Sequence, residues 1–462
     1  MPRAASAPAL SIAMFLASAA VALLAHSARA EDGAWVPLDP GPRVGHTLVA
    51  DPARARALHF GGWDGSGSTA PGAFHDETWV LDLAGHPRWR LMSTDGPSPP
   101  PRVEHVAVRD PVRDRLIVFG GRTGKAYRDD LWALDLAHDV WAPLAAAGPQ
   151  PPPLETRAVY DPVRDRIVFF GGRDPDGDLD GLWQLSLAGS PTWGQLEAAG
   201  DPPSPRHAHT IVYDPVGDRI IVFGGQSGST SLGDVWALTL SGTPAWSRLT
   251  PAGESPDPRH GHVAILDPLR QRMVVLGGLN WPTQFMSDAW ALDLAGPPAW
   301  TALDLGGPLP PPRDFAAAVL DAGHDRIVVQ GGNTVTAYDE NGAPVTDVLS
   351  DLWTVDLGDD APAVRVAAAP EASAGRVRLH WQARGLASCR VLRSEANGPW
   401  TERARLRPSD EQVRWDDRAL KPGAAYAYRL AWTEGRVERF GGVVRVTASA
   451  GLPGDAQADR HR

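Results

Sequence analysis

A pair of adjacent glycines recurs six times along the chain: Gly61-Gly62, Gly120-Gly121, Gly171-Gly172, Gly224-Gly225, Gly277-Gly278 and Gly331-Gly332. The intervals are 59, 51, 53, 53 and 54 residues. One catalytic site needs its motif once, so a motif repeated at this period marks a structural unit. The surroundings recur in a fixed order. "DPVRDRLIVFGG" ends at Gly121, "DPVRDRIVFFGG" at Gly172 and "DPVGDRIIVFGG" at Gly225. Looser echoes are "DPARAR", "DPLRQR" and "DAGHDR". An extended run such as "HTLVA" or "HTIVY" comes first, then an Asp-Pro turn, in which Pro presets φ and Asp binds nearby backbone. A β-branched strand then ends at Gly-Gly, followed by a variable loop and two Trp-led strands. Four short strands per unit make one propeller blade. The predicted fold is all-β: a six-bladed β-propeller.

The tryptophans support this reading. The third strand carries Trp79, Trp132, Trp183, Trp236, Trp290 and Trp353, and the fourth Trp89, Trp141, Trp193, Trp246 and Trp300. The sixth unit lacks a fourth strand. "WVPL" at Trp35 to Leu38 matches "WAPL" at Trp141, so strand 35–38 is expected to complete the last blade and close the ring.

Gly-Gly after the second strand, then Asp-x-Trp as at Asp234 to Trp236, then Trp-x-x-Leu as at Trp246 to Leu249, resembles the kelch repeat across about residues 33–357. That resemblance implies a kelch-type propeller, here placed at 31–358. Beyond it, residues 361–450 read as short alternating strands of a small β-sandwich. "LKPGAAYAYRL" resembles the corner of a fibronectin type III domain. Tyr426 would be its corner tyrosine and Trp381 a core residue. Residues 451–462 read as a disordered tail.

Residues 1–30 read as a cleaved secretory signal: Arg3, an apolar run from Leu10 to Leu24, and Ala28-Arg29-Ala30 as the cut. No later stretch is apolar enough for a membrane span. The expectation is a bacterial protein, secreted or held in the periplasm or cell envelope, and monomeric. Cys389 is the only cysteine, so no internal disulfide forms, and it reads as a small buried hydrophobe. Residues 31–360 carry a net charge of −20 within a chain total of −11. A body that acidic excludes nucleic acid as a partner.

Little in the sequence signals catalysis, and no catalytic residue is assigned. Galactose oxidase, a kelch enzyme, needs a propeller Cys cross-linked to Tyr. Residues 31–360 contain no Cys, which excludes that copper chemistry. A ring pattern stands before the inner strands: Arg43, Arg102, Arg206, Arg259 and Arg313, with His46, His105, His209 and His262 three residues on. Unit three has Pro153 and Thr156 in those places, and unit six has Ala316 for His. The arginines either bind Asp130, Asp234, Asp288 and Asp351 within the fold or converge on the channel to hold a small anion. The variable loops share that face, and Trp63 and Trp281 within them are candidate ligand contacts. Asp174, Asp176, Asp178 and Asp180 alternate like the start of a Ca2+ loop, without the later acidic ligand. The expected role is non-catalytic binding of a protein or polysaccharide. The alternative is a carbohydrate-active enzyme, a lyase or one similar to sialic-acid mutarotase, with its site at the channel mouth.

Overall fold

The computed structural model describes residues 29–31, 34–36 and 39–447, apart from 66–71, 282–283, 304–309, 340–343, 358–363, 367–370, 374–375, 384–385, 396–399, 410–411, 419, 422–423 and 435–436. The expected signal up to residue 28, Pro37-Leu38 of the expected closing strand, and residues from 448 onward lie outside the described residues.

Six antiparallel sheets follow in chain order. Blade one holds Thr47–Asp51, Arg56–Phe60, Thr78–Asp82 and Arg88–Leu91, paired in that order. Blades two to five repeat the pattern, with inner strands Val106–Asp110, Glu155–Asp161, Thr210–Asp214 and Val263–Asp267. The inner strands pack in one closed cycle, with Ala317–Asp321 of blade six against Thr47–Asp51 of blade one. This is the kelch-type propeller expected from the repeat.

Blade six has three strands among the described residues: Ala317–Asp321, Arg326–Gln330 and Leu352–Asp356. The segment expected to supply the fourth pairs elsewhere, Ala34–Val36 lying antiparallel to Arg29–Glu31. Two of those partner residues, Arg29 and Ala30, precede the expected cut, and they are local competitors for the same strand edge.

Each blade is held by the residues that recur. The fourth-strand tryptophans pack on an aromatic ring of the preceding blade: Trp141 on Phe60 at 5.2 Å, Trp193 on Phe119 at 4.8 Å, Trp246 on Phe170 at 4.8 Å and Trp300 on Phe223 at 5.0 Å. The Gly-Gly pair serves close approach. At Gly224, with φ +62°, a Cβ would lie 2.6 Å from the Arg259 carbonyl oxygen of the next blade. In the Asp-Pro turn, Asp110 accepts the N–H groups of Val112 and Arg113 at 3.1 Å and the Nε–H of Arg115 at 2.9 Å.

The two rims of the ring are fastened differently. On the turn side, an arginine of one blade grips an aspartate of the next: Arg54 to Asp114 at 2.6 Å, Arg113 to Asp165 at 2.7 Å, Arg164 to Asp218 at 2.8 Å and Arg270 to Asp325 at 2.7 Å. At the two remaining seams both partners are replaced together. Gly217 faces Gln271 between blades four and five, and His324 and Ala55 occupy the positions between blades six and one. On the loop side, backbone bonds link residues of positive φ around the mouth. Glu104 N–H bonds to Gly45 O at 2.7 Å, Gly45 to Phe315 at 3.2 Å, Phe315 to Gly261 at 2.7 Å and Gly261 to Ala208 at 2.9 Å. Blade three does not join this annulus. Its Glu155 instead pairs with Arg173 in an extended strand that bulges before Arg157.

The C-terminal unit is a β-sandwich of two four-stranded sheets. Trp381, Val391, Tyr428 and Leu430 are fully buried between them. Tyr426 is buried, and its hydroxyl accepts the Lys421 backbone N–H at 2.9 Å. Cys389 is buried in this core, and burial pushes its thiol up to about 11.

Candidate functional site

The recurring arginines are taken up inside their own blades. Arg102 donates to both oxygens of Asp130 at 2.7 Å and to the Gly120 carbonyl at 3.0 Å. Arg206 grips Asp234, Arg259 grips Asp288 and Arg313 grips Asp351 in the same two-pronged way, with first contacts of 2.7 Å. Each aspartate also accepts the indole N–H of the tryptophan two residues on, as in Trp236 to Asp234 at 2.7 Å. The Asp-x-Trp motif is thus an arginine clamp, and planar guanidinium suits it. Arg43 departs: Glu77 stands where the aspartate would be and comes no closer than 3.9 Å, being held at 3.1 Å by His75. Blade three has lost both clamp partners, with Pro153 for the arginine and Gly181 for the aspartate.

The histidines form a buried layer below the arginines. His105 meets the Thr47 hydroxyl of the preceding blade at 2.9 Å, and His262 meets Thr210 at 2.8 Å. Arg157 and Ala317 take the corresponding threonine positions opposite His209 and His46. Burial pushes His46 down to about 3 and holds His105, His209 and His262 well below the usual imidazole range. Nearby arginines add to that, so the layer is uncharged at neutral pH.

Blade three is where the mouth departs from symmetry, and bulges commonly re-aim side chains at functional sites. Arg157 pairs with Phe170 at a ladder position that holds Thr47, Val106, Thr210, Val263 and Ala317 in the other blades. It lines a central cavity of about 270 Å³ together with Glu104, Thr47, Thr210 and Phe315. Its side chain donates to the Thr156 carbonyl at 3.0 Å, and among the described residues no carboxylate pairs with it. At the rim, Glu104 and Glu155 lie together over one guanidinium, with Arg122 Nε at 2.8 Å from Glu104 and 3.3 Å from Glu155. Burial and the Glu104 charge drive the Glu155 carboxyl well above its ordinary range. Glu104 shifts the other way: burial opposes this, but Glu155, Arg122 and Arg157 prevail. The two carboxyls are thus driven in opposite directions, Glu155 toward its protonated form. Burial also pushes Asp314, on the same rim, up to about 7.

Sequence reading missed Arg157, Glu104, Glu155 and Arg122, because it searched for what recurs. The signal was the departure of unit three from Pro-Arg-x-x-His.

The other expected site residues fall into place individually. Trp63 is partly buried beside Phe74, with ring centroids 6.3 Å apart, and its backbone is paired with Val44, so it folds its own loop. Trp281 is 52% exposed on the blade-five hairpin. The four aspartates of 174–180 do not converge. Asp174 caps a turn through the N–H groups of Asp176 and Gly177, at 2.8 and 3.0 Å. Asp178 is engaged by His207 at 2.7 Å and by the Gly228 N–H at 2.6 Å. Among the described residues no group of three or more His, Cys, Asp or Glu is placed to hold a metal ion. The expected Ca2+ loop is a hairpin tip in which Asp174 and Asp178 are engaged separately.

A closed six-bladed ring, clamped by Arg and Asp-x-Trp and open to solvent at a charged mouth, defines a kelch propeller. The KLHDC2/KLHL20/DRC7 Kelch-repeats domain model matches residues 45–243 and 216–376, more than half of the chain, and the protein belongs to that family. Among curated proteins it is similar to multiple epidermal growth factor-like domains protein 8 of Rattus norvegicus, 30% identical over 307 residues, covering 63% of this chain and 10% of the relative. It is also similar to the Rab9 effector protein with kelch motifs of Bos taurus, 31% identical over 210 residues, covering 43% of this chain and 55% of the relative. The chain thus spans about a tenth and about half of these relatives. Among solved structures, that of YjhT aligns with a TM-score of 0.48 at 15% identity, covering 70% of this chain and 97% of the other. No helix among the described residues is long and apolar enough to cross a membrane.

Proposed function

We propose that the protein is an exported binding module whose loop-bearing face engages a protein or polysaccharide at the cell envelope or outside the cell. Kelch propellers are in general interaction modules. The observation that carries the proposal is where the exposed aromatic side chains lie. Trp281 is 52% exposed and Tyr338 55% exposed on the loop-side hairpins of blades five and six. Exposed aromatics on a rigid scaffold are the usual anchors of recognition. The test is binding to glycan and extracellular-protein arrays by the wild type and by a Trp281→Ala/Tyr338→Ala variant. Specific capture that the variant loses supports the reading. Arrays without capture, or capture indifferent to the double substitution at an unchanged melt, would retire it.

A second reading has one observation in its favour. Glu104, which lines the cavity, and Glu155 lie together over Arg122 with their carboxyls driven in opposite directions, and such a pair can serve as general acid and base on a small sugar. Anomerisation of free sugars, followed by NMR with Glu104→Gln and Glu155→Gln as controls, tests it. No acceleration over buffer would dispose of it.

A further inference from the structure

Four of the five recurring arginines have carboxylate partners within 3.0 Å, but Arg157, which the repeat does not require, has none among the described residues. Its position in the other five blades is Thr, Val, Thr, Val or Ala, so packing alone does not call for a guanidinium there. A guanidinium carries five N–H donors in a fixed fork, and the Thr156 carbonyl takes one direction only. The charge sits near the channel axis: beyond burial, it helps hold down His105, His209 and His262, which come from three different blades. A partly buried cation with no carboxylate in contact favours an anion from solution.

Glu104 acts on Arg157 through its charge but forms no ion pair with it, its contact being Arg122 at 2.8 Å. Glu155 is the second carboxyl whose charge acts on Arg157. In its protonated form it leaves Arg157 open and offers an O–H; as a carboxylate it would neutralise Arg157 itself. The groups facing Glu155 are Glu104, Arg122, Arg157 and the Tyr127 phenol, whose own titration is raised by burial and then by Glu155. Burial and then Glu104 raise it against the two arginines, so the O–H form persists beyond the ordinary carboxyl range.

The cavity is about 270 Å³, just below the span usual for drug-sized ligands. It suits a single sugar ring. Hydroxyl partners are at hand in Thr47 and Thr210, whose oxygens engage one histidine each and keep further hydrogen-bonding capacity. Phe315 gives the wall an apolar face. We propose that the channel behind the blade-three bulge binds a small hydroxylated carboxylate of hexuronate size, its carboxylate on Arg157 and its hydroxyls toward Thr47 and Thr210. The site lies in the channel, apart from the loop aromatics, and does not depend on a macromolecule binding to them.

The test is calorimetry on the full chain with D-glucuronate, D-glucose, acetate and sulfate as probes. Glucuronate should bind, and glucose, of like size but neutral, should not. Arg157→Gln should weaken glucuronate binding by roughly tenfold or more, the usual effect of losing a charged hydrogen bond. Arg157→Lys should retain part of the affinity. Raising the pH should weaken binding in the wild type as Glu155 loses its proton, and less so in Glu155→Gln, which keeps the titration of Asp314 on the same rim and so isolates Glu155. Equal binding of glucose and glucuronate overturns the proposal, as does unaltered affinity in Arg157→Gln. Acetate or sulfate binding as tightly as glucuronate overturns the hydroxylated class and leaves an adventitious ion only. Should Arg157→Gln fail to fold, the wild-type probe comparison and the pH response of Glu155→Gln decide. Loss of array capture in the Trp281→Ala/Tyr338→Ala variant with glucuronate binding intact separates this site from the loop surface.

Discussion

Arg164 of blade three and Asp218 of blade four meet at 2.8 Å across their seam, and the same arginine reaches the Leu240 carbonyl at 2.6 Å. One residue before Asp218 stands Gly217, at the place of the next arginine, and Gln271 stands where that arginine's aspartate would be. Gln271 is buried with both amide atoms unpartnered among the described residues. Gly217→Arg with Gln271→Asp should therefore install a fifth latch. Asp suits the positive φ of position 271, as it does at Asp114, Asp165, Asp218 and Asp325. The double variant should be more stable than the sum of the singles by about 0.5–1 kcal/mol, the scale of a partly exposed pair. Denaturant melts in a double-mutant cycle measure this, and strict additivity would refute it.

Arg206→Ala should be strongly destabilising, by about 3–5 kcal/mol, because the buried clamp loses one partner and Asp234 keeps its charge. Asp234 itself is lowered: burial works against this, but Arg206 and the Trp236 N–H outweigh it. A carboxyl with a depressed native pKa contributes stability above its unfolded value and loses it as pH falls through the native one. The ionic part of the clamp should therefore start to be lost as pH falls below about 4. Urea melts of wild type and variant should draw closer in that range, the bonds of Arg206 to Gly224 and Ser204 keeping part of the gap. A gap that does not narrow at all in acid would contradict the clamp.

The neutral histidine layer predicts a second, milder pH dependence. Its imidazoles resist protonation when folded and accept it when unfolded. Stability should fall as pH drops below about 6.5, with a slope of up to about one proton per buried histidine. His262→Asn should reduce that slope by about one. An unchanged slope would place the titration elsewhere.

Closure of blade six depends on which partner Ala34–Val36 takes. In a chain starting at residue 31, Arg29 and Ala30 are gone, and the strand is free to join Leu352–Asp356. Trp35→Ala should then cost about 3–5 kcal/mol, the usual loss for a core tryptophan, and deleting residues 31–40 should cost at least as much. In the chain that keeps residues 1–30, Trp35→Ala should have little effect. Equal melts for Trp35→Ala and wild type in the shortened chain would dismiss closure by this strand.

Much of the ring was legible because its determinants are local and repeated. Gly-Gly at positive φ, Asp-Pro turns, and tryptophans seated on the previous blade's Phe60, Phe119, Phe170 or Phe223 all announce themselves by recurrence. The Asp-x-Trp clamp could be read as one of two options, and Asp130, Asp234, Asp288 and Asp351 were nameable in advance. The site was not legible, because it arises where recurrence fails. Pro153 and Gly181 remove both halves of one clamp, the backbone leaves the annulus, and beyond the bulge Arg157 lines the channel. The pairing of Glu104 with Glu155 joins two blades through an Arg122 outside the repeat motif, a relationship visible only in three dimensions.

The fastening of the turn-side rim also bears on how such a ring can be rearranged. A seam works when the donor of one blade matches the acceptor of the next, and this chain uses three vocabularies: Arg with Asp, Gly with Gln, and His with Ala. Blade order is thereby encoded on the blades themselves. Blade two could be copied next to itself, since Arg113 would meet a second Asp114. Blade four could not precede blade six, because Gly217 would leave Asp325 without its arginine. Expansion or shuffling of this propeller by recombination is therefore restricted to joints whose two sides speak the same vocabulary.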